Sequence, residues 1–313
     1  MSERYNVDWP SVQRVFPPGF EPPPLLRDFA RWVDDLPWGS VGWFSLIGRL
    51  PDDAAIGDGA LLRDRFALFL HLPDGSEAGF WLYPGLDLAE PPVVYLGSEG
   101  EAVVLADSLR AFLAKLVQGG FGSKGPWASL EGDAPDKLRE LRAWLGNRPD
   151  TAGTALPAAQ RPATPDFGAV MAAWQTEREA YWASHPSMAR LALLLAAYYP
   201  TGGNPWDSTI FRAEIVGALY RLTVLHGGPQ PVPEAAAVEP VLRALREEQW
   251  KASPGLGLWF GMDFGLRADG SIWPTFDYQN RPPVASEPEG IAQGRADLAR
   301  APRPARWVPG WLA

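Results

Sequence analysis

Apolar and polar residues alternate most regularly over residues 259–280, WFGMDFGLRADGSIWPTFDYQN. Alternation on both sides of an Asp-Gly pair predicts two antiparallel strands joined by a tight loop. With a three-residue loop, Ala268-Asp269-Gly270, and Gly270 in the left-handed conformation, Leu266 lies opposite Ile272, Phe264 opposite Pro274, Met262 opposite Phe276 and Phe260 opposite Tyr278. One face of the hairpin is then wholly apolar. A two-residue loop would set Met262 against Asp277 and Leu266 against Trp273, so burial selects the longer loop. The other face carries Trp259, Asp263, Trp273 and Asp277, aromatic and acidic together.

Upstream, after a Pro-rich start, Leu25, Leu26, Phe29, Trp32 and Val33 recur at helical spacing, and Pro37 and Gly39 end that helix. A β region comes next, with a strand over 41–46, an acidic loop PDDAAIGDG, a strand over 66–72, the turn Pro73-Asp74-Gly75 and a strand over 76–83. The same loop logic sets Leu70 opposite Ala78, Leu68 opposite Phe80 and Phe66 opposite Leu82. Ala67, Phe69, Trp81 and Tyr83 fall on the second face, so burial is expected on both. Short strands at 93–95 and 103–105 lead to a helix that Asp107 can cap, with Leu109, Phe112, Leu113, Leu116 and Val117 inward. A helix over 135–145 closes this half.

Residues 146–164, GNRPDTAGTALPAAQRPAT, have no apolar period and read as a linker. Thr164-Pro165 opens a helix with Phe167, Val170, Met171, Trp174, Arg178, Tyr181 and Trp182 on one broad face. The helix started by Pro186 is apolar almost all round over 188–199 and is expected to be the most buried of its domain. Segments 210–216 and 219–225 flank Gly217-Ala218 and read as a hairpin or as one interrupted helix, β-branched and aromatic content favouring the hairpin. Val238, Val241, Leu242 and Leu245 form a helical stripe that leaves Arg243, Arg246, Glu247 and Glu248 outward. A short helix over 290–300 and a tail with Trp307 and Trp311 end the chain. The pattern predicts an α+β protein of two domains, 1–145 and 165–313, each an antiparallel sheet packed with helices and joined by 146–164.

Charge changes this picture by exclusion. Lys and Arg total 28 against 37 Asp and Glu, a net −9, which gives no electrostatic footprint for nucleic acid and favours a basic partner. The chain has no Cys, and His71, His185 and His226 fall in separate elements, so neither a metal nor a cofactor is expected. His185, just before Pro186, reads as the residue that starts a helix. The glycines form no phosphate-binding fingerprint, and no GxSxG elbow occurs. The longest apolar run, 191–199, is too short to span a bilayer, and MSERYNVDWP lacks an apolar leader, so a cytoplasmic protein with no membrane partner is expected.

Two stretches carry a likeness to known families. PPVVYLGSEGEAVVLADSLRAFLAKL, preceded by LPDGSEAGFWL, resembles the closing strand, turn, helix and central hairpin of SUKH-like proteins, a superfamily rich in bacterial immunity proteins against secreted toxins; the likeness spans roughly residues 25–120. LRALREEQWKASPGLGLWFGMDFGLRADGSIWPTFDYQNRPP, with the ending LARAPRPARWVPGWL, is similar to YezG-like immunity proteins over roughly residues 165–313, and the matching positions are Trp259, Asp269, Gly270, Phe276, Asp277, Tyr278 and Pro282. Together these resemblances imply a two-domain immunity protein that binds a cognate toxin domain, a basic nuclease among the candidates, and blocks it with no catalysis of its own.

The residues nominated for that interface are the aromatic and acidic anchors Trp259, Asp263, Trp273 and Asp277, the outward Glu247 and Glu248 of the preceding helix, and Asp52 and Asp53 of the acidic loop. An alternative from another class is a carbohydrate-active hydrolase using Asp263 and Asp277 as paired carboxylates. A third is a scaffold whose two domains recruit different proteins. Against all three stands the plain reading of these acids as solvated face residues.

Overall fold

Strands from each half of the chain assemble into their own five-stranded antiparallel sheet, and with eight helices the described residues form an α+β fold. The computed structural model describes residues 5–14, 16–17, 19–46, 65–83, 91–98, 100–118, 134–148, 165–201, 207–225, 228–286 and 289–313. Two units result, Met1–Met171 and Ala172–Ala313. Of the stretch read as a linker, 149–164 lie outside the described residues. No helix among the described residues is long and apolar enough to cross a membrane.

The first unit holds helices α1 (Trp9–Arg14), α2 (Pro24–Asp34), α3 (Leu109–Val117) and α4 (Ala134–Gly146). Its sheet runs in order β1 (Ser45–Leu46), β2 (Phe66–His71), β3 (Glu77–Trp81), β4 (Val93–Leu96) and β5 (Ala102–Ala106). The apolar stripe of α2, Leu25, Leu26, Phe29 and Val33, is buried with that of α3 in one core. Ser108, not Asp107, caps α3: its extended backbone directs the side chain to accept from the Ala111 N–H at 3.2 Å. Helix α4 is held by Trp144 against Trp32 at 5.7 Å between ring centres and by Arg148 on Asp28 at 2.6 Å.

The β2–β3 loop is Pro73-Asp74-Gly75 as expected, with Gly75 at φ +87 and the Leu72 N–H bonded to the Ser76 carbonyl at 2.9 Å. Leu70 faces Ala78, but a bulge between Leu68 and Leu70 then shifts the register by one. Leu68 therefore faces Gly79, Ala67 faces Phe80 and Phe66 faces Trp81, correcting the pairs expected beyond Leu70. Gly79 permits the bulge, since a Cβ there would lie 2.5 Å from the Ala67 carbonyl oxygen and the Leu68 Cα. The shift also moves Ala67 and Phe69 into the main core. Phe66 and Trp81 lie on the far side, where Phe167 meets their rings at 6.1 and 4.7 Å. Both faces of this hairpin are buried.

Helix α5 (Phe167–Ser184) contains the division between the units. The second unit continues with α6 (Pro186–Leu194), β6 (Ser208–Val216), β7 (Leu219–Val224), β8 (Gln230–Pro231), α7 (Ala235–Ala252), β9 (Gly261–Arg267), β10 (Ile272–Asp277) and α8 (Glu289–Arg300), and its sheet order is β10-β9-β6-β7-β8. Segments 210–216 and 219–225 form the hairpin rather than a helix, turning at Gly217, φ +57. The β9–β10 register agrees with the alternation at Leu266/Ile272, Phe264/Pro274 and Met262/Phe276, and Gly270 has φ +81. Those six side chains are buried with Phe211, Ala213 and Leu222 and with the stripe Val238, Val241, Leu242 and Leu245 of α7.

Three expectations about this unit fail. Helix α6 buries only Met188, Leu191 and Ala192 and leaves Leu193 77% exposed, so it is not the most buried helix. Arg246 is buried rather than outward, and it donates to the Trp259 carbonyl at 2.6 Å and to Asp297 at 2.9 Å. Trp259 precedes β9 and does not continue its alternation; it is fully buried, 5.6 Å from the Phe276 ring on the apolar side. The C-terminal segment covers one end of the sheet, where Ala285 and Leu312 pack with Val216 and Phe260. Arg303 ties this segment down through the Leu258 and Tyr278 carbonyls, and Trp311 donates to the Gln279 carbonyl at 3.1 Å. At the sheet edge, Pro274 has no N–H to offer and Arg178 takes its carbonyl at 3.0 Å, which blocks pairing with another strand.

Candidate functional site

Strand alternation sends Ile210, Arg212, Asp263, Gly265, Trp273 and Thr275 to the face of the second sheet opposite the α7 stripe. In register across β7, β6, β9 and β10, Thr223, Arg212, Asp263 and Thr275 form one row, and Ile210, Gly265 and Trp273 form the next. Asp263 lies opposite Thr275 as expected, with Asp277 one step further along β10. Sequence reasoning missed Arg212, Ile210 and Gly265 as members of this face. The alternation of STIFRAEIV contains the signal, but nothing local says that β6 pairs with β9.

The acids on this face are engaged. Arg212 grips Asp263 with two bonds, Nε to Oδ1 at 2.7 Å and Nη2 to Oδ2 at 2.6 Å, the planar fork that guanidinium and carboxylate favour. Those bonds hold the Arg212 pKa above its ordinary value. Asp277 accepts the Gln279 and Asn280 backbone N–H groups at 2.8 and 2.9 Å and so fastens the turn leaving β10. Glu214, also on this side, is buried and paired with Arg221 at 2.5 Å. The expected acidic face is therefore engaged, Asp263 in an ion pair and Asp277 in hydrogen bonds. Trp273 is half-buried, with the guanidinium groups of Arg178 and Arg267 at 5.9 and 5.6 Å from its ring centre.

Of the other nominated residues, Trp259, Glu247 and Glu248 do not join it. Trp259 is in the core, and Glu247 and Glu248 sit on α7, across the sheet from Asp263. Glu247 is paired with Arg300 at 2.7 Å, and Glu248 lies 3.3 Å from His185. Asp52 and Asp53 lie outside the described residues, as does His226. His185 starts α6 as its position suggested, its Nδ1 accepting from the Ser187 N–H at 3.2 Å. Among the described residues no group of three or more His, Asp or Glu could hold a metal.

A cleft of about 390 Å³ opens at the β6–β7 turn between α7 and α8. Its charged walls close on one another: Arg246 on Asp297 at 2.9 Å, Arg300 on Glu247 at 2.7 Å, and Arg243 on the Gly217 and Ala218 carbonyls at 2.7 and 2.9 Å. Asp297 also accepts the Gly217 N–H at 2.7 Å. Burial pushes the Arg246 pKa down, and Asp297 opposes that shift. These groups clamp the turn and the C-terminal helix and leave no free charge for a ligand. No known protein family, curated protein or solved structure matches the chain.

Proposed function

We propose that this protein is a bacterial immunity protein that neutralises a toxin domain by binding it, without chemistry of its own. The observation that carries the reading is the outer face of the second sheet, a half-buried surface of aromatic, aliphatic and paired-charge side chains on paired strands. Its two candidate catalytic acids are committed elsewhere, Asp263 to Arg212 and Asp277 to backbone N–H groups, which favours binding over glycoside hydrolysis. The likeness of residues 165–313 to YezG-like proteins and of 25–120 to SUKH-like proteins points the same way.

Charge supports a basic partner met through the first unit. Residues 1–171 contain 15 Lys and Arg against 23 Asp and Glu, a balance of −8, whereas residues 172–313 contain 13 against 14, a balance of −1. An acidic unit speeds encounter with a basic protein such as a nuclease toxin. The test is co-expression with the toxin domain encoded in the neighbouring gene. Growth should be rescued and a stoichiometric complex recovered. A toxin that kills as efficiently with the chain present as without it, and does not co-purify with it, overturns the reading.

A further inference from the structure

We infer that the cleft at the β6–β7 turn, between α7 and α8, binds an uncharged amide, the main chain of a partner's loop; this is a separate site from the outer face of the sheet and does not rest on the neutralisation reading. The most buried side chain lining the cleft is Arg246, 2% exposed. A guanidinium carries five N–H donors over three nitrogens. Nε is spent on the Trp259 carbonyl and Nη2 on Asp297, but Nη1 bonds to nothing among the described residues. Nη1 is not sealed in either, so it meets the solvent of the cleft. A donor held this deep without a partner costs stability, and an acceptor brought into the cleft recovers it.

The other walls complete the pattern. Gln293 of α8 accepts the Ala218 N–H through Oε1 at 3.1 Å, which fixes the sense of its amide and leaves Nε2, a donor, with no protein partner among the described residues. Gly217 allows that approach, since a Cβ there would collide with the same oxygen. Glu247 meets Arg300 through Oε1 and keeps Oε2 to accept. Every cation of the cleft already has its carboxylate: Arg246 has Asp297, Arg300 has Glu247 and Arg243 has Glu239 at 2.7 Å. A charged ligand of either sign would have to open one of these pairs. What remains is two donor nitrogens and one acceptor oxygen, the complement of a peptide group with its C=O and N–H. Among the described residues no aromatic ring lines the cleft, so a sugar would find no face to stack on. Its volume, about 390 Å³, lies in the range of about 300–1,000 Å³ typical of ligand sites.

The experiment follows side-chain N–H signals of the full-length chain by NMR during titration with N-acetylglycine N-methylamide, which carries two peptide groups and no charge. Saturable shifts are expected at the Gln293 amide and the Arg246 guanidinium, with the same affinity at low and high salt, because no ion pair is exchanged. Methyl glucoside should give none. Gln293→Leu should weaken the probe at least threefold, and Ala218→Phe, which narrows the cleft from its exposed turn, serves if Gln293→Leu fails to fold. No saturable shift, an equal response to methyl glucoside, or wild-type affinity in a folded variant overturns the amide site and leaves a cleft filled by water. Adding the toxin domain from the neighbouring gene identifies the loop: displacement of the probe assigns it to the toxin, and retention of the probe on the toxin-bound chain assigns it to another protein, the site standing in both cases. A toxin domain that does not bind at all overturns neutralisation and not the amide site, which the probe alone decides.

Discussion

The two sheets have the same number of strands, and a hairpin in each stands in an opposite relation to solvent. In the first, β2 and β3 are buried on both faces, Phe69 and Phe80 in one core and Phe66 and Trp81 under Phe167. In the second, β9 and β10 alternate strictly between buried and half-buried residues. The glycines of the two sheets differ accordingly: Gly79 lies against a neighbouring backbone, and Gly265 against the ends of the Ile210 and Ser208 side chains. A sheet enclosed on both sides spends its side chains on its own packing, while a sheet enclosed on one side can offer the other to a partner.

The largest effect should come from undoing the clamp that covers one end of the second sheet. Asp297→Ala leaves the buried Arg246 without its carboxylate and the Gly217 N–H without its acceptor. A loss of about 3–5 kcal/mol in urea unfolding is expected. The paired change Arg246→Met with Asp297→Leu should recover most of it, because the cost lies in the orphaned charge. Full stability in Asp297→Ala would mean that the C-terminal segment is held by Arg303 and Trp311 alone.

Next is the contrast between the glycines. Gly79→Ala drives a methyl group into the bulged β2 backbone and should cost about 3 kcal/mol. Gly265→Ala should be neutral or stabilising by up to about 1 kcal/mol, since alanine is the better strand residue. Equal losses at the two sites would show that the second sheet is as enclosed as the first.

The same difference governs how much can be read from the sequence. Strict alternation makes the β9–β10 register legible, because a slip by one residue would send Asp263 and Asp277 into the core. On β2 and β3 both faces are apolar, so a slip violates no pattern and the bulge at Phe69 leaves no trace. Trp259 is misplaced when alternation is extended past Gly261, where β9 begins. The Arg212–Asp263 bridge joins residues 51 positions apart and depends on strand order, which no local pattern states. Residues of the β9–β10 hairpin and its approach have structural tasks: Asp269 accepts the Ser271 N–H, Gly270 takes positive φ, Asp277 fastens its turn, and Trp259 fills the core.

A smaller effect appears at high pH. Burial raises the Tyr5 hydroxyl in the first unit to about 12, from an ordinary value of 10.0. An unfolded chain therefore releases this proton before the folded one does, and stability present below pH 10 is lost as pH rises toward 12. The loss attributable to Tyr5 is about 2 kcal/mol. Tyr220 in the second unit is also raised by burial and contributes with the same sign, so the readout is the difference between wild type and Tyr5→Phe. The variant should give up about 1 kcal/mol at neutral pH with its bond to the Gly42 carbonyl, and show a shallower alkaline decline. Parallel pH curves would place the alkaline sensitivity elsewhere.

The smallest change tests whether the second sheet's outer face is as open as its geometry makes it. Asp263 and Arg212 are bonded in good geometry, but their side chains are 40% and 46% exposed, so water already solvates much of both charges. An exposed pair of this kind contributes about 0.2–1 kcal/mol. Asp263→Asn keeps one acceptor for Arg212 and should stay within that range, and adding Asp277→Asn should cost little more, because an amide oxygen can still accept from the turn at Gln279 and Asn280. A loss above about 2 kcal/mol for Asp263→Asn alone would mean that the bridge is a buried structural element. The outer face of the second sheet would then be enclosed in solution.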